Sequence, residues 1–598
     1  PTNDRRNDQA VASTVETIMD SLPAALKVAP SKAKVEALAR ELATALLASE
    51  RRFAASGEHD DDEMRRINDA ADRIHALDRE FTLSDVDRTW RARAGAYGFN
   101  TLHMIERFGG SANHEATWDG AEWKNWNRLV RNVPAHYRRP EPPAGGLGVA
   151  GEYESVRKIV RESTPLRVVA GGHAFNDSAS TGGLAERPTG TLLCLDLYSA
   201  WRKIAPAEAS SAYGLASSSP NTLVRVQAGI RLRDFNESMW EQGLAFPLCG
   251  STDTQSLGGL VASDLHGTGR HRGFLAEQIR ELKMIRADGA LIVWRRGPAG
   301  WTTNEPTPRT YPRLPVAGAL GMLGVVVELV VELVPAFFME KNTYFADRAE
   351  IEADLPRLVA AHDHINIFYP CGGPSVRTIQ VNTMSRTDRR PSALSALTRF
   401  AGEMGDHVLA SYLPSQMFGL AGKSVHDDPV LRMMNKAKPN VLPSPAAFSR
   451  RLYYLHDEVE YAFPVEAAVP AIAKTVDLLR DEELHSLVEM RFTPDCAQSL
   501  IGPGNVAAGR GGAVWFGLAT AIGEHSRARI LAVFEKFDRV MRPFGGRPHL
   551  GKQTAKNEAD MTALIGPDWT SFQALRREWD PTGRFLPPEN DFLNKLFR

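Results

Sequence analysis

Cysteine is scarce in this chain. The four present among 598 residues, Cys194, Cys249, Cys371 and Cys496, show no C-x-x-C spacing, which argues against a disulfide scaffold and a zinc ribbon and leaves no metal site to expect. An excess of either charge is also missing: 71 Lys and Arg stand against 72 Asp and Glu, a net charge of −1. With no basic run interleaved with aromatics, nucleic acid is not an expected partner. Long apolar runs are absent as well. The stretch Leu314–Val327 stops at Glu328 after 14 residues, short of the about 20 that a spanning helix needs, so it reads as a buried turn and strand and no membrane span is expected. The first residues, P-T-N-D-R-R-N-D, offer no apolar core for a secretory signal, and a cytoplasmic location is the expectation.

Nucleotide-binding glycine motifs fare no better. Gly146–Gly151 fits G-x-G-x-x-G, but the Pro-rich R-R-P-E-P-P-A-G precedes it. A dinucleotide fingerprint needs a buried strand there, so these glycines read as a flexible connection. Gly545–Lys552 is followed by Gln553 where a P-loop requires Ser or Thr. An NAD enzyme and an ATPase are both poorly supported, and no internal repeat or low-complexity tract stands out.

What the chain does have is glycine placed directly after short apolar stretches. Val168, Val169 and Ala170 read as the end of a buried strand entering Gly171-Gly172, a turn that tolerates positive φ and lets backbone N–H groups approach an anion. His173 then stands on the loop, followed by Ala174 and Phe175. A turn histidine alone is more often a solvated or capping residue than a cofactor anchor. Downstream, Leu223–Gly229 alternates as a strand and Leu232–Gly243 has helical periodicity. Gly250–Gly269, G-S-T-D-T-Q-S-L-G-G-L-V-A-S-D-L-H-G-T-G, is dominated by small and hydroxyl-bearing residues. Ser251, Thr252, Ser256, Gly258, Gly259, Ser263 and Gly267 offer donors without bulk, which suits wrapping a pyrophosphate and a flat ring system. Glu281–Gly289 reads as a strand with an Asp-Gly turn, and Gly318–Leu329 follows it. Near the other end, V-E-M-R-F puts Glu489 and Arg491 on one face of a strand; such a pair is usually a surface ion pair of little energetic worth.

In this order the segments resemble the FAD-binding domain of the vanillyl-alcohol oxidase/PCMH flavoprotein superfamily, in its sugar-oxidising branch of aldonolactone oxidases and alditol oxidases. The resemblance runs from about Trp126 to the C-terminus. It implies an α+β fold: a PCMH-type FAD-binding domain of two α+β subdomains, plus a sheet-and-helix substrate (cap) domain. It also implies FAD, bonded covalently through its 8α-methyl group to His173, on a G-x-G-H-S-F turn in which Ala174 replaces the usual serine. Ala170, Gly171, Gly172, Phe175, the small residues of 251–263 and Val326 are the implied cofactor contacts. Leu265-His266-Gly267-Thr268-Gly269 matches a T-H-G-T-G segment that closes over the flavin, with its first threonine changed. Glu489 and Arg491 match an E-x-R pair beneath the flavin, and Glu460–Pro464 and Asp580–Phe585 also look like the relatives. Gly545–Lys552 resembles R-P-H-W-G-K, which brings Lys552 to the active site, with Leu550 where tryptophan is typical.

Residue types give the chemistry independently. Oxidising an alcohol carbon removes a hydride to flavin N5 and a proton from the hydroxyl, so the site needs cations to hold alkoxide character and a group to take the proton. Arg491 and Lys552 suit the first task; the proton acceptor is open among Lys552, Glu489 and water. The expected small-molecule substrate is a sugar lactone, alditol or related polyol, with O2 (giving H2O2) or another acceptor reoxidising the flavin. The alternative is a flavoprotein for a larger sterol-like or natural-product substrate, or a flavin-binding scaffold with altered activity, motivated by Leu550 and by the N-terminal region. Retention of Glu489, Arg491 and Lys552 together favours the first.

At 43% hydrophobic residues over 598 positions the chain should build more than one core. Residues 1–115 are charged and helical in period, an accessory domain that packs on the core or mediates a homodimer, with a lid as the lesser reading. Residues 116–338 are assigned to the FAD-binding domain, 339–544 to the substrate domain, and 545–598 to a segment returning to the flavin. His364, Tyr369, Asn382 and Trp515 are candidate pocket residues, each equally readable as strand packing. Cys249 precedes Gly250-Ser251 and could border the flavin, although a buried small apolar role suits it better.

Overall fold

The computed structural model describes residues 122–142, 153–392, 419–435, 439–449, 456–496, 498–507, 511–522 and 525–598, with strand Thr117–Asp119, Leu147 and helical turns within 11–48. The rest of the expected extension over 1–115, most of Gly146–Gly151 and part of the loop region 413–445 lie outside the described residues. Val168 and Val169 form the expected strand, Leu166–Val169 (β1). It runs parallel to Thr191–Cys194, which in turn runs parallel to His136–Arg138. The strand ends where Gly172 takes φ 58°, a backbone state that costs glycine little.

Thr222–Gln227 (β2), Ile279–Ile285 (β3) and Val325–Pro335 (β4) are central to an eight-stranded antiparallel sheet, in spatial order β3, β4, β2. The apolar run read as a buried turn and strand is the turn at Val316–Leu323 and the start of β4, all largely buried. Helices Glu154–Glu162 and Leu232–Glu241 pack Val156, Val160, Phe235 and Met239 into the same core. Within Gly250–Gly269, where a cofactor-wrapping stretch is expected, Leu257–Ala262 forms a short helix (α1) capped by Ser256 Oγ, which accepts from the Gly259 amide at 3.3 Å. The C-terminal helices Pro567–Trp579 and Asp591–Phe597 put Trp569, Phe572, Leu596 and Phe597 into this core too. Burial of side chains this large contributes about 1.5–3 kcal/mol each.

A second eight-stranded antiparallel sheet contains His456–Pro464 (β5), Ser486–Thr493 (β6) and Ala513–Ala521 (β7), with β7 between the other two. Its faces follow the period of two. Val459, Tyr461, Val488, Met490, Phe516 and Leu518 pack against helices Ala468–Asp481 (α2) and Arg527–Met541 (α3). The alternate residues Glu458, Glu460, Glu489, Arg491 and Trp515 therefore face the first half of the molecule. The fold is mixed α and β, as the resemblance implies.

Behind the α1 loop, Asp264 sits buried on a left-handed backbone, φ 56°. Burial pushes its carboxyl up to about 7, and its neighbours Ser499 and Glu277 include no cation. A folded pKa raised above the ordinary 3.8 contributes stability below that value and loses it as pH rises through about 7. Asparagine tolerates this φ and carries no charge. Asp264→Asn should thus stabilise by a few kcal/mol at about pH 8 and far less at about pH 4; melting curves showing equal shifts at both pH values would contradict the assignment.

Candidate active site

The loop after β1 is stitched to the segment after α3, which runs alongside β5, by hydrogen bonds that a sequence pattern does not display. The Phe175 amide donates to the Gly551 carbonyl at 3.1 Å, and Gln553 Nε2 donates to the Phe175 carbonyl at 2.7 Å. Asn176 Nδ2 donates to the carbonyls of Leu550, at 2.7 Å, and Lys552. On the other side the His549 amide bonds to the Glu460 carbonyl and the Gln553 amide to the Glu458 carbonyl, both at 2.9 Å. His173 and Lys552 thereby line one cleft with the polar face of the second sheet.

This cleft holds about 1200 Å³ of empty space, mouth included. Ala170, Gly171, Gly172, His173, Ala174 and Phe175 line it, with Ser251, Thr252, Ser256, Gly259, Ser263 and His266. Gly258 and Val326 line a second cavity that shares Ala170, Ser256 and Gly259 with the first. Gly267 lies behind the wall: its amide donates to the Gly273 carbonyl at 2.8 Å, and a Cβ there would stand 2.5 Å from the Cys249 carbonyl oxygen. Its smallness serves loop packing. Ser263 Oγ donates back to the Gly259 carbonyl at 3.0 Å and Gln255 Nε2 donates to Thr252 Oγ1, so these hydroxyls are engaged within the loop.

Among the cationic candidates, Arg491 pairs with Glu460 and Lys552 with Glu458. Burial alone would raise the Glu460 carboxyl, but Arg491 and then His266 outweigh it and hold it well below the ordinary value. For Arg491, burial is likewise outweighed by Glu460 and Glu489, and its pKa rises. Burial opposes ionisation of Glu458, yet Lys552 and His456 bring it down to about 2. Lys552 Nζ also lies 3.9 Å above the Phe175 ring. The expected Glu489 stands beside this arrangement: it accepts from Asn366 Nδ2 at 2.7 Å and lies 3.9 Å from Arg491 Nε, turned along the sheet. Three carboxylates fit on one face because Gly517 on β7 lies between Glu460 and Glu489; a Cβ there would meet Glu458 Oε1 at 2.8 Å.

His266 stacks on Trp515 with ring centroids 3.6 Å apart and reaches Glu460 at 3.3 Å. His266, Glu460 and His549 bring one ligand-capable atom each within 4.8 Å of one another. Arg491 already neutralises the Glu460 carboxylate, and the Gly551 amide donates to His549 Nδ1 at 3.2 Å, so the trio reads as a hydrogen-bonded cluster around a guanidinium. Burial lowers both His549 and His173 to about 3, which keeps these imidazoles neutral.

Several expectations are corrected here. Leu550 is buried in the core of the first half and is not among the residues lining the cleft. Tyr369 points to the helix-covered face of the second sheet. His364 Nδ1 contacts the Thr268 carbonyl and Asn382 accepts from Thr343 Oγ1 at 2.6 Å; both are packing residues, and Trp515 acts through the His266 ring. Cys249, by contrast, has the buried role that suited it better, beside Asn236. The sequence reading missed Trp126, His456, Glu458 and His549 on the wall, and it quoted Glu460 only as matching text. E-V-E-Y over 458–461 carries the same alternation as V-E-M-R and could have exposed the two glutamates.

The residues fit FAD. Gly171 lies where a Cβ would meet Arg231 Nη1 at 2.6 Å and the Thr254 carbonyl at 3.0 Å, so two small-residue loops close on each other beside a long cleft with a neutral, half-buried histidine on its wall. Among the described residues no helix is long and apolar enough to cross a membrane.

Comparison with known proteins agrees with this geometry. Residues 149–294 match the FAD binding domain family and residues 329–596 match the D-arabinono-1,4-lactone oxidase family. An L-gulono-1,4-lactone dehydrogenase of Mycobacterium tuberculosis is 24% identical over 485 residues, 79% of this chain and 98% of that protein. An alditol oxidase of a Streptomyces species is 28% identical over 438 residues, 71% of this chain and 89% of that protein. Among solved structures, a cholesterol oxidase from Brevibacterium sterolicum shares the fold with a TM-score of 0.58 at 14% identity, covering 80% of this chain and 97% of that one. The chain thus joins a PCMH-type FAD binding domain to a D-arabinono-1,4-lactone oxidase domain, and its relatives include aldonolactone dehydrogenases and oxidases and an alditol oxidase.

Proposed function

We propose that the cleft oxidises a CH–OH group of a neutral sugar lactone, alditol or related polyol. The observation that carries this reading is two ion pairs, the buried Arg491–Glu460 and the part-buried Lys552–Glu458, set on the same cleft as the His173 loop. FAD, when bound, supplies the hydride acceptor. Arg491 presents a rigid fork of donors and Lys552 an ammonium, so a substrate hydroxyl losing its proton finds cations already held in place by carboxylates. The same carboxylates accept hydrogen bonds from neighbouring hydroxyls, which suits a polyol and disfavours an anionic sugar acid. The two ion pairs on the wall favour a polyhydroxylated substrate over a sterol, and the burial of Leu550 removes one motive for that alternative.

In this reading His173 holds the flavin covalently, and O2 or another acceptor takes the electrons. Residues 116–338 and 545–598 hold the cofactor, while 339–544 supply the substrate wall. The expected result for the purified yellow protein is that flavin stays with the acid-precipitated chain and that His173→Ala releases it; wild-type protein that turns colourless on precipitation would remove the covalent link. Admitting air after anaerobic reduction distinguishes the acceptors, since an oxidase regains its colour and forms H2O2.

A further inference from the structure

Trp126 lies outside both matched family segments, yet its ring stands closer to His173 than that of Phe175 does. Their rings stack with centroids 4.6 Å apart and planes 5° apart. The Trp126 amide donates to the Gly172 carbonyl at 3.1 Å, and Asn125 Nδ2 donates to the Ala174 carbonyl at 2.8 Å. Two consecutive residues thus grip the peptide groups on either side of His173. The grip is itself braced. Asn125 Oδ1 accepts the Val130 amide at 3.0 Å, and Arg128, at φ 63°, donates from Nη1 to the Asn125 carbonyl at 3.0 Å. Asn127 Nδ2 ties the same turn to the His456 carbonyl at 3.1 Å. Phe175 and His456 present their rings to Trp126 at 5.0 and 5.1 Å, completing an aromatic enclosure.

We infer that Asn125 and Trp126 form a clamp that fixes the plane and depth of the His173 imidazole for bond formation to the flavin 8α carbon. Both are positioning residues for cofactor attachment. The inference rests on the proposed covalent link at His173. In that step an imidazole nitrogen bonds to the 8α carbon, one N–H and one C–H bond break, and two electrons and two protons leave through the flavin to dioxygen, giving H2O2. A neutral imidazole supplies the lone pair, but the ring must face the methyl carbon in one orientation. A parallel indole and two anchored carbonyls hold it so, and loss of such orientation is felt as a loss of rate.

The test uses full-length protein and reads total flavin by absorbance and covalent flavin after acid precipitation. Trp126→Ala is expected to keep total flavin near wild type while its covalent fraction falls about 10-fold or more, and Trp126→Phe, which restores a flat ring, to recover most of it. Asn125→Ala, which frees one carbonyl, should lower the fraction about 3-fold. Full attachment in Trp126→Ala, or a phenylalanine variant as deficient as the alanine one, overturns the clamp. If Trp126→Ala does not fold, Trp126→Phe and Asn125→Ala decide by the same readout: a deficient phenylalanine variant or full attachment in Asn125→Ala overturns it. Wild-type protein that gives up all its flavin is a separate failure, read before any variant, and overturns the His173 attachment together with the clamp.

Discussion

Arg491→Met should slow flavin reduction by about 100- to 1,000-fold, because the guanidinium that holds alkoxide character is lost from a water-poor site. The same change leaves Glu460 buried beside His266 with no guanidinium, and breaking a buried pair costs about 3–5 kcal/mol of stability. Two readouts separate the effects: stopped-flow bleaching under anaerobic conditions gives the rate, and thermal melting gives the stability. Arg491→Lys keeps the charge but not the planar fork. It should recover part of the stability and little of the rate. Wild-type bleaching in Arg491→Met would exclude Arg491 from the chemistry.

Lys552→Met is expected to slow reduction by about 100-fold, again through lost stabilisation of developing negative charge. Its pH signature is distinct. Glu458 is held at about 2 by Lys552 and His456 against the cost of burial. A carboxylate with a depressed folded pKa contributes stability above its ordinary value near 4.5, and that contribution is lost as pH falls toward 2. The stability gap between wild type and Lys552→Met should therefore be widest above about pH 5 and close in acid. Melting curves with a gap independent of pH would show that the lysine contributes packing on Phe175 rather than the ion pair.

The elements nearest the cofactor were legible because their chemistry is local. A run such as Val168-Val169-Ala170 followed by two glycines and a histidine encodes strand, turn and loop residue in six positions, and alternation in V-E-M-R-F placed Glu489 and Arg491 on one face. The same alternation explains the misplacement of Tyr369: it shares parity with Ile365 and Ile367, which face the helices, and counting parity along that strand would have removed it. The second half of each ion pair was harder to see. Glu460 meets Arg491 across β7, an intervening strand whose register no single segment announces. Lys552 meets Glu458 only because residues 547–553 pair along β5. Leu550 misled because a motif position implies a role, whereas its side chain here turns into the core. Trp126 was visible only as the start of the resemblance, since a stacking partner 47 positions from His173 leaves no periodic trace.

The central claim is that this cleft removes a hydride from a CH–OH carbon of a neutral polyhydroxylated substrate. It is tested most directly by anaerobic stopped-flow bleaching of the flavin with an alditol or aldonolactone carrying deuterium on the reacting carbon. The account predicts bleaching that saturates with substrate and slows several-fold, about the size of a primary isotope effect, on deuteration. Protein that stays yellow with every alditol and lactone, or that bleaches only with a sterol, would contradict it.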